Sequence, residues 1–273
     1  ACEVLTAREH IELCLRDLAA PLWWPGLAEQ LVYESGMYSK EYSTSQWLAL
    51  ASPAKVWRVT LQGPIDIHLD VELLHPVAAQ KLSSKGAAFA DATMIRTRSL
   101  DGLRRALPLL QQVPSLAATF EDLAKSIHIL KASEPGFDVS YSDPSIPFSV
   151  FLNISEGRFA DLRTAEALVH EAMHLQLSLI ERIVPIAKVN QEGLHYSPWK
   201  RSQRPVAGLM HALYVFRVID QWLDHLPKVS KETRDYAERR HKEIREEIEQ
   251  LAPASFITHL TAEGQQLLSR LLT

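Results

Sequence analysis

Apolar residues recur at helical spacing along most of the chain, and the breaks in that period mark the expected elements. Arg8 to Leu18 carries Ile11, Leu13, Leu15 and Leu18 as an apolar helical face and is stopped by Pro21. A second helix is expected over about residues 26 to 36, with Trp23-Trp24-Pro25 between the two reading as core rather than as a ligand platform. Lys55 to Leu69 alternates around a Gly63-Pro64 break, as a hairpin or a helix end would. Val71 to Leu82 reads helical, and Pro76 either weakens that reading or marks the helix start. Leu100 to Gln112 and Ser115 to Lys125 read as helices separated by Pro114.

After Ser126 the pattern changes. Ile127 to Leu130 looks like a short strand, Val139-Ser140-Tyr141 like another, and Phe148 to Ile154, bounded by Pro147 and Gly157, is the clearest. Long helical patterns follow at about 160 to 184, 205 to 226, 230 to 251 and 255 to 271, punctuated by prolines. The helix from Ser230 to Leu251 is dense in charge and reads as solvated, laced by i,i+4 ion pairs. The expected fold class is mainly α (α+β), a helical chain with a small central β-sheet preceding a metal-binding helix. Residues 1–125 are expected as a mostly helical lobe and 126–273 as the metal-binding catalytic region, the two forming separate lobes or one continuous domain.

Composition narrows the function. With 29 Lys+Arg against 33 Asp+Glu, the net charge of −4 gives no basic surplus for nucleic acid. No apolar run approaches the roughly 18–20 residues of a membrane span. Ala1-Cys2-Glu3 lacks the basic start of a signal peptide, so a cytoplasmic location is expected, and the missing initiator Met points to trimming. The two cysteines, Cys2 and Cys14, are too few for a disulfide framework and read as free thiols.

The chemistry concentrates at His170-Glu171-Ala172-Met173-His174. Residues four apart share a helix face, so His170 and His174 can hold one divalent metal while Glu171 reaches a metal-bound ligand. Ala167, Leu168, Leu175 and Leu179 would make that helix buried and the site dry. A third protein ligand is required. The position six residues after His174 is Ile180 and the glycine of the metzincin pattern is replaced by Leu177, which excludes that class. Glu192, in an apparent loop, is a weaker candidate than His211, at the start of a long apolar helix. Three neutral imidazoles suit Fe(II) with a bidentate co-substrate and also suit zinc with a water; spacing does not choose.

The connection His195 to Pro205 holds two aromatics, Tyr196 and Trp199, and the cations Lys200, Arg201 and Arg204. Arg204 precedes Pro205 at a helix start seven residues from His211, so its guanidinium is placed to grip a carboxylate bidentately. Trp199 is either a pocket wall or a core plug.

Leu168-Val169-His170-Glu171-Ala172-Met173-His174, then Tyr196-Ser197-Pro198-Trp199-Lys200, then Arg204-Pro205-x-x-Gly208-x-x-His211 together resemble the HExxH-motif peptide-modification family. The resemblance covers roughly residues 145 to 225. Members are understood as iron(II)- and 2-oxoglutarate-dependent β-hydroxylases of ribosomally made peptide natural products. The resemblance implies that His170, His174 and His211 hold Fe(II), with 2-oxoglutarate and O₂ as co-substrates. Arg204 is the first choice for the distal carboxylate, with Lys200 or Arg201 as substitutes and Trp199 beside them. A precursor peptide would be the partner, with His195, Tyr196 and Asn153 as candidate contacts; a dimer is compatible, although no seam is evident. Glu171 would then orient a ligand or water rather than act as a hydrolytic base. Two other readings stand: a zinc metallopeptidase using Glu171 as general base, and a non-catalytic peptide-binding protein.

Overall fold

The computed structural model describes residues 5–34, 53–83, 86–132, 138–143, 146, 148–189, 193–227 and 230–273. Helix α1 (Ala7–Arg16) starts at a capping box in which Thr6 and Glu9 satisfy each other's free backbone donors. Its buried positions are Ala7, Ile11, Cys14 and Leu15. Leu13 and Leu18 were expected on that face but are 50% and 68% exposed. At about 100° per residue, Leu13 lies roughly 200° around the axis from Ile11. Cys14 is a free thiol whose pKa burial pushes up to about 11, an inert core side chain; Cys2 lies outside the described residues. Trp23 and Trp24 are core, leading into α2 (Leu27–Glu34).

The Gly63-Pro64 break is a hairpin. β1 (Lys55–Leu61) pairs antiparallel with β2 (Ile67–Leu73), in register from Lys55 with Leu73 to Leu61 with Ile67. The helix expected from Val71 therefore begins later. Val71 continues the inward alternation of Ile67 and Leu69, and α3 (Pro76–Ser83) starts on Pro76, whose missing N–H costs nothing in a first turn. A helical turn (Ala92–Met94) and a π-helical stretch (Ile95–Ser99) run into α4 (Leu100–Gln111). Pro114 opens α5 (Pro114–Leu123) rather than merely separating two helices.

β3 (Ser126–Ile129), β4 (Ser140–Ser142) and β5 (Ser149–Leu152) complete a five-stranded sheet of order β1-β2-β3-β5-β4. β2, β3 and β5 are parallel to one another, and β4 returns antiparallel to β5. All four β5 residues, Ser149 and the apolar Val150 to Leu152, are buried, as in an inner strand covered on both faces. The boundary expected near residue 125 falls where β3 begins, and β3 pairs with β2 on its N-terminal side. One apolar cluster runs from Ala7 to Leu271.

The long helix α6 (Ala160–Ile183) is buried at Leu168, Val169, Ala172, Met173 and Leu177 and packs on α4, α5, α7 (Val206–His225) and the β4–β5 edge. A helix apolar on so much of its surface has to lie inside the fold. The segment joining α6 to α7, expected as a plain connection, is a second small sheet: β6 (Leu194–Ser197) antiparallel to β7 (Ser202–Pro205).

The charge-dense helix α8 (Lys231–Glu249) carries the expected exposed pairs, Arg239–Glu243 and Lys242–Glu246. It is not purely solvated, however, because Tyr236, Ala237 and Ile244 are buried. Arg240 pairs with Glu166 of α6 at 3.0 Å, and Tyr236 donates to the same carboxylate at 2.5 Å. The helix expected over 255–271 is split into short turns at Pro253–Ser255 and Ile257–His259, then α9 (Ala262–Leu272). Gly264 there is obligatory: an added Cβ would stand 2.0 Å from the Ile186 carbonyl oxygen. The architecture is mainly α with a small mixed sheet, and no helix among the described residues is long and apolar enough to cross a membrane.

Candidate metal centre

The α6–α7 packing brings the predicted histidines together. His170 Nε2 and His174 Nε2 are 3.1 Å apart, and His174 Nδ1 and His211 Nδ1 are 3.2 Å apart. Such separations suit neighbouring ligands of one ion held at about 2.0–2.1 Å from each nitrogen. The two contacts use opposite edges of the His174 ring, so one ring must turn before all three nitrogens meet at a point. Accordingly, among the described residues no group of three His, Cys, Asp or Glu side chains is ready-made as a metal cluster. Burial pushes His170 down to about 3, helped by the positive charges of Lys200 and Arg240. Burial likewise holds His174 well below the usual histidine range, with His170 and His211 beside it adding to the effect. Neutral imidazoles are the form that binds metal, and the donor set fits a divalent ion by chemistry.

Two carboxylates attend the cluster. Glu171 is 1% exposed and accepts from the Ser140 hydroxyl at 2.6 Å. Burial raises it to about 7, against the pull of the Ser140 and Ser142 hydroxyls and of Lys200. Glu181 lies 2.9 Å from His211 Nε2. If that nitrogen donates, as a carboxylate partner requires, Nδ1 of His211 is left as the lone-pair nitrogen facing His174. Sequence reading missed Glu181, Ser140 and Ser142. Glu181 stands two helical turns after His174 on the same side, and the two serines alternate along one face of β4, so spacing could have found all three.

The β6–β7 hairpin decides which cations matter. Its turn closes on Arg201 in the left-handed region at φ 49°, which leaves Arg201 exposed on the outside. Trp199, Lys200 and Arg204 border the same cavity as the three histidines, about 380 Å³ in volume. That is within the roughly 300–1,000 Å³ of small-molecule sites. Arg204 lies across the first turn of α7, where a Cβ on Gly208 would be 3.4 Å from its Nε. Neither Lys200 nor Arg204 has an ion-pair partner among the described residues. Trp199 is a pocket wall: its ring stacks on Phe216 at 5.4 Å and 8°, and Phe216 meets the edge of His170 at 5.3 Å. Arg240 covers Phe216 from behind, 5.5 Å from the ring centroid.

The other candidates fall elsewhere. His195 and Tyr196 line a separate cavity of about 280 Å³, where His195 Nε2 meets His259 Nδ1 at 3.3 Å. Asn153 is 7% exposed and holds Val139 through its side chain, accepting from that backbone N–H at 2.6 Å. Glu192 lies outside the described residues. No protein-family model and no curated protein matches the chain.

Proposed function

We propose that this protein is a cytoplasmic Fe(II)- and 2-oxoglutarate-dependent oxygenase that hydroxylates the β-carbon of a residue in a ribosomally made precursor peptide. One observation carries the reading. The cavity that holds the three imidazoles also holds two cations, Lys200 and Arg204, neither in an ion pair among the described residues, against the single lining carboxylate of Glu171, which burial drives toward its neutral form. A hydrolase needs no such anion site, whereas a dicarboxylate co-substrate does.

In this reading His170, His174 and His211 hold the iron, and Glu181 fixes the ring of His211. Arg204 grips the distal carboxylate of 2-oxoglutarate bidentately, and Lys200 adds a point charge. The stacked Trp199 and Phe216 wall excludes water from one side of the site. Glu171, held by Ser140, orients a polar group of the bound reactants. When bound, the iron supplies dioxygen activation, and the overall balance is R–H + O₂ + 2-oxoglutarate → R–OH + succinate + CO₂.

Zinc-dependent peptide hydrolysis is the competing reading, and Glu171 favours it: a buried carboxylate raised to about 7 beside two imidazoles is poised as a general base. One experiment separates the two. Anaerobic metal-free protein is given Fe(II), 2-oxoglutarate and then O₂ with a candidate precursor peptide. A peptide gaining the mass of one oxygen atom, with one succinate formed per hydroxylation, supports the oxygenase. Peptide cleavage with Zn(II) and no succinate would replace it with the peptidase. Retention of neither metal would leave a peptide-binding protein.

A further inference from the structure

A further cavity lies outside the histidine cluster. It measures about 580 Å³ and sits where the chain leaves the carboxyl ends of β3 and β5, at Leu130 to Ala132 and Asn153 to Glu156. Crevices beyond the carboxyl ends of parallel strands are recurrent ligand sites. The π-helical stretch Ile95–Ser99 contributes to its wall through Thr97, Arg98 and Ser99, and π-turns recur at functional sites.

Its polarity indicates the ligand. Three basic side chains (Arg98, Arg105, Lys131) and three acidic ones (Asp101, Asp138, Glu156) line it. Most are engaged with one another or with neighbours: Arg105 with Asp161 at 3.0 Å, Arg98 with Glu156 at 3.8 Å, and Asp138 with Arg163 at 2.6 Å. The lining is therefore near neutral, unlike that of the metal pocket, and does not select a small anion. Within it, Ser155 is 4% exposed and its hydroxyl has no hydrogen-bond partner among the described residues, an unmet demand that a ligand can satisfy. Met94, Ile129 and Ile154 supply apolar lining. A neutral, hydrogen-bonding, partly apolar ligand is called for.

β4 joins this cavity to the metal pocket. Asp138, just before the strand, borders the first cavity, and Ser140 to Ser142 border the second. β4 is one of the two outer strands of the sheet among the described residues, β1 being the other. Val139 exchanges hydrogen bonds with Asn153, so the alternation of an antiparallel pair turns the N–H and C=O of Ser140 and Ser142 away from β5. From Asp138 to Tyr141 an extended strand advances about 10 Å, roughly three residues.

We propose that the 580 Å³ cavity is a second recognition site for an extended segment of the peptide substrate, which pairs with the outer edge of β4 and so reaches the histidine cluster about three residues further on. Main-chain pairing to a sheet edge gives affinity with little sequence demand, and the cavity adds selection for one remote side chain. The inference rests on reading the substrate as a peptide, but binding can be tested without metal, co-substrate or turnover.

The probe is a displayed library of randomised short linear peptides, selected on the full-length metal-free protein; the enriched peptide is resynthesised and its affinity measured. Thr97→Trp blocks the cavity mouth from an exposed position, and Ser155→Leu fills its interior. Each should weaken binding by about tenfold or more, while Arg201→Ala, on the exposed outside of the β6–β7 hairpin, should leave it within about twofold. Amide hydrogen exchange should slow at Ser140 and Ser142 when the peptide is bound. If no peptide is enriched, or if binding survives Thr97→Trp but is lost in His174→Ala, the second site is overturned. Absence of protection at Ser140 and Ser142 would overturn the pairing to β4. Failure to hydroxylate the same peptide with Fe(II) and 2-oxoglutarate would count against the oxygenase reading alone.

Discussion

The pair Glu166–Arg240 ties the charge-dense helix α8 to the helix that bears His170 and His174, and removing its acid is the most informative perturbation of the fold. Both side chains are only 14% and 13% exposed. Arg240 meets Glu166 through Nε at 3.0 and 3.2 Å and through Nη2 at 3.0 Å, while Tyr236 donates to the same carboxylate at 2.5 Å. Glu166→Ala leaves a buried guanidinium with Glu243, at 2.7 Å, as its remaining ion-pair partner among the described residues and Glu247 near by, and a phenol without its acceptor. Truncating one partner of a buried pair costs about 3–5 kcal/mol, against about 0–1 kcal/mol for a solvated pair. At roughly 2–4 °C per kcal/mol for a chain of this size, the melting temperature should fall on the order of 10 °C. Urea unfolding of the wild type, Glu166→Ala, Arg240→Ala and the double variant measures the loss and its coupling. The double variant should cost clearly less than the sum of the singles, because each single strands the other's group. A loss below about 1 kcal/mol for Glu166→Ala, with additive singles, would refute the buried network and return α8 to a purely solvated helix.

Four further outcomes are expected. His128 is 3% exposed, beside Glu72 and Ser149, and burial lowers its pKa to about 4 from the ordinary 6.5. The unfolded chain thus takes up the proton first, so stability contributed by the neutral ring is present above 6.5 and lost as pH falls toward 4. Unfolding measured at pH 7 and at pH 4 should show the wild type losing about 3 kcal/mol more than His128→Phe; equal losses would remove His128 as the cause. Gly264→Ala forces a methyl group onto the Ile186 carbonyl and should cost about 1–3 kcal/mol or more, read as a lower thermal midpoint. Glu181→Ala should weaken Co(II) or Fe(II) binding about 10–100-fold by anaerobic titration while leaving the fold intact, since it touches His211 and not the core. On the proposed oxygenase reading, Arg204→Leu should raise KM for 2-oxoglutarate far more than it lowers kcat; an unchanged KM would move the proposed anion anchor to Lys200.

Local pattern carried far on this chain, for reasons that individual residues illustrate. His170 and His174 could be put on one face because helical spacing is a fixed property of the backbone. The strand at β5 was legible because an unbroken β-rich run has few other uses, and the wall formed by Trp199 was readable as one of two alternatives. Fine direction was less legible: Leu13 and Leu18 belong to an apolar run yet face water, because the buried face is set by what packs against α1 and not by apolar content alone. Asn153 borders not the histidine cavity but the one beyond β3 and β5, where its side chain also accepts from the Val139 backbone N–H.

The sequence by itself determined most of the elements, the mainly helical class and the shared face of His170 and His174, since each depends on residue type and on periods of a few positions. Only the tertiary structure decided which charges join them. Arg201 and Arg204 are three residues apart in the same hairpin, yet a left-handed turn residue sends one outward while the other lines the histidine cavity. Glu181 meets His211, Ser140 meets Glu171, and Arg240 reaches Glu166 across 30, 31 and 74 positions of chain. No local period encodes such contacts. They exist because burying the apolar faces of α6, α7 and the sheet fixes where the remaining polar atoms can find partners, and that is a property of the packed whole.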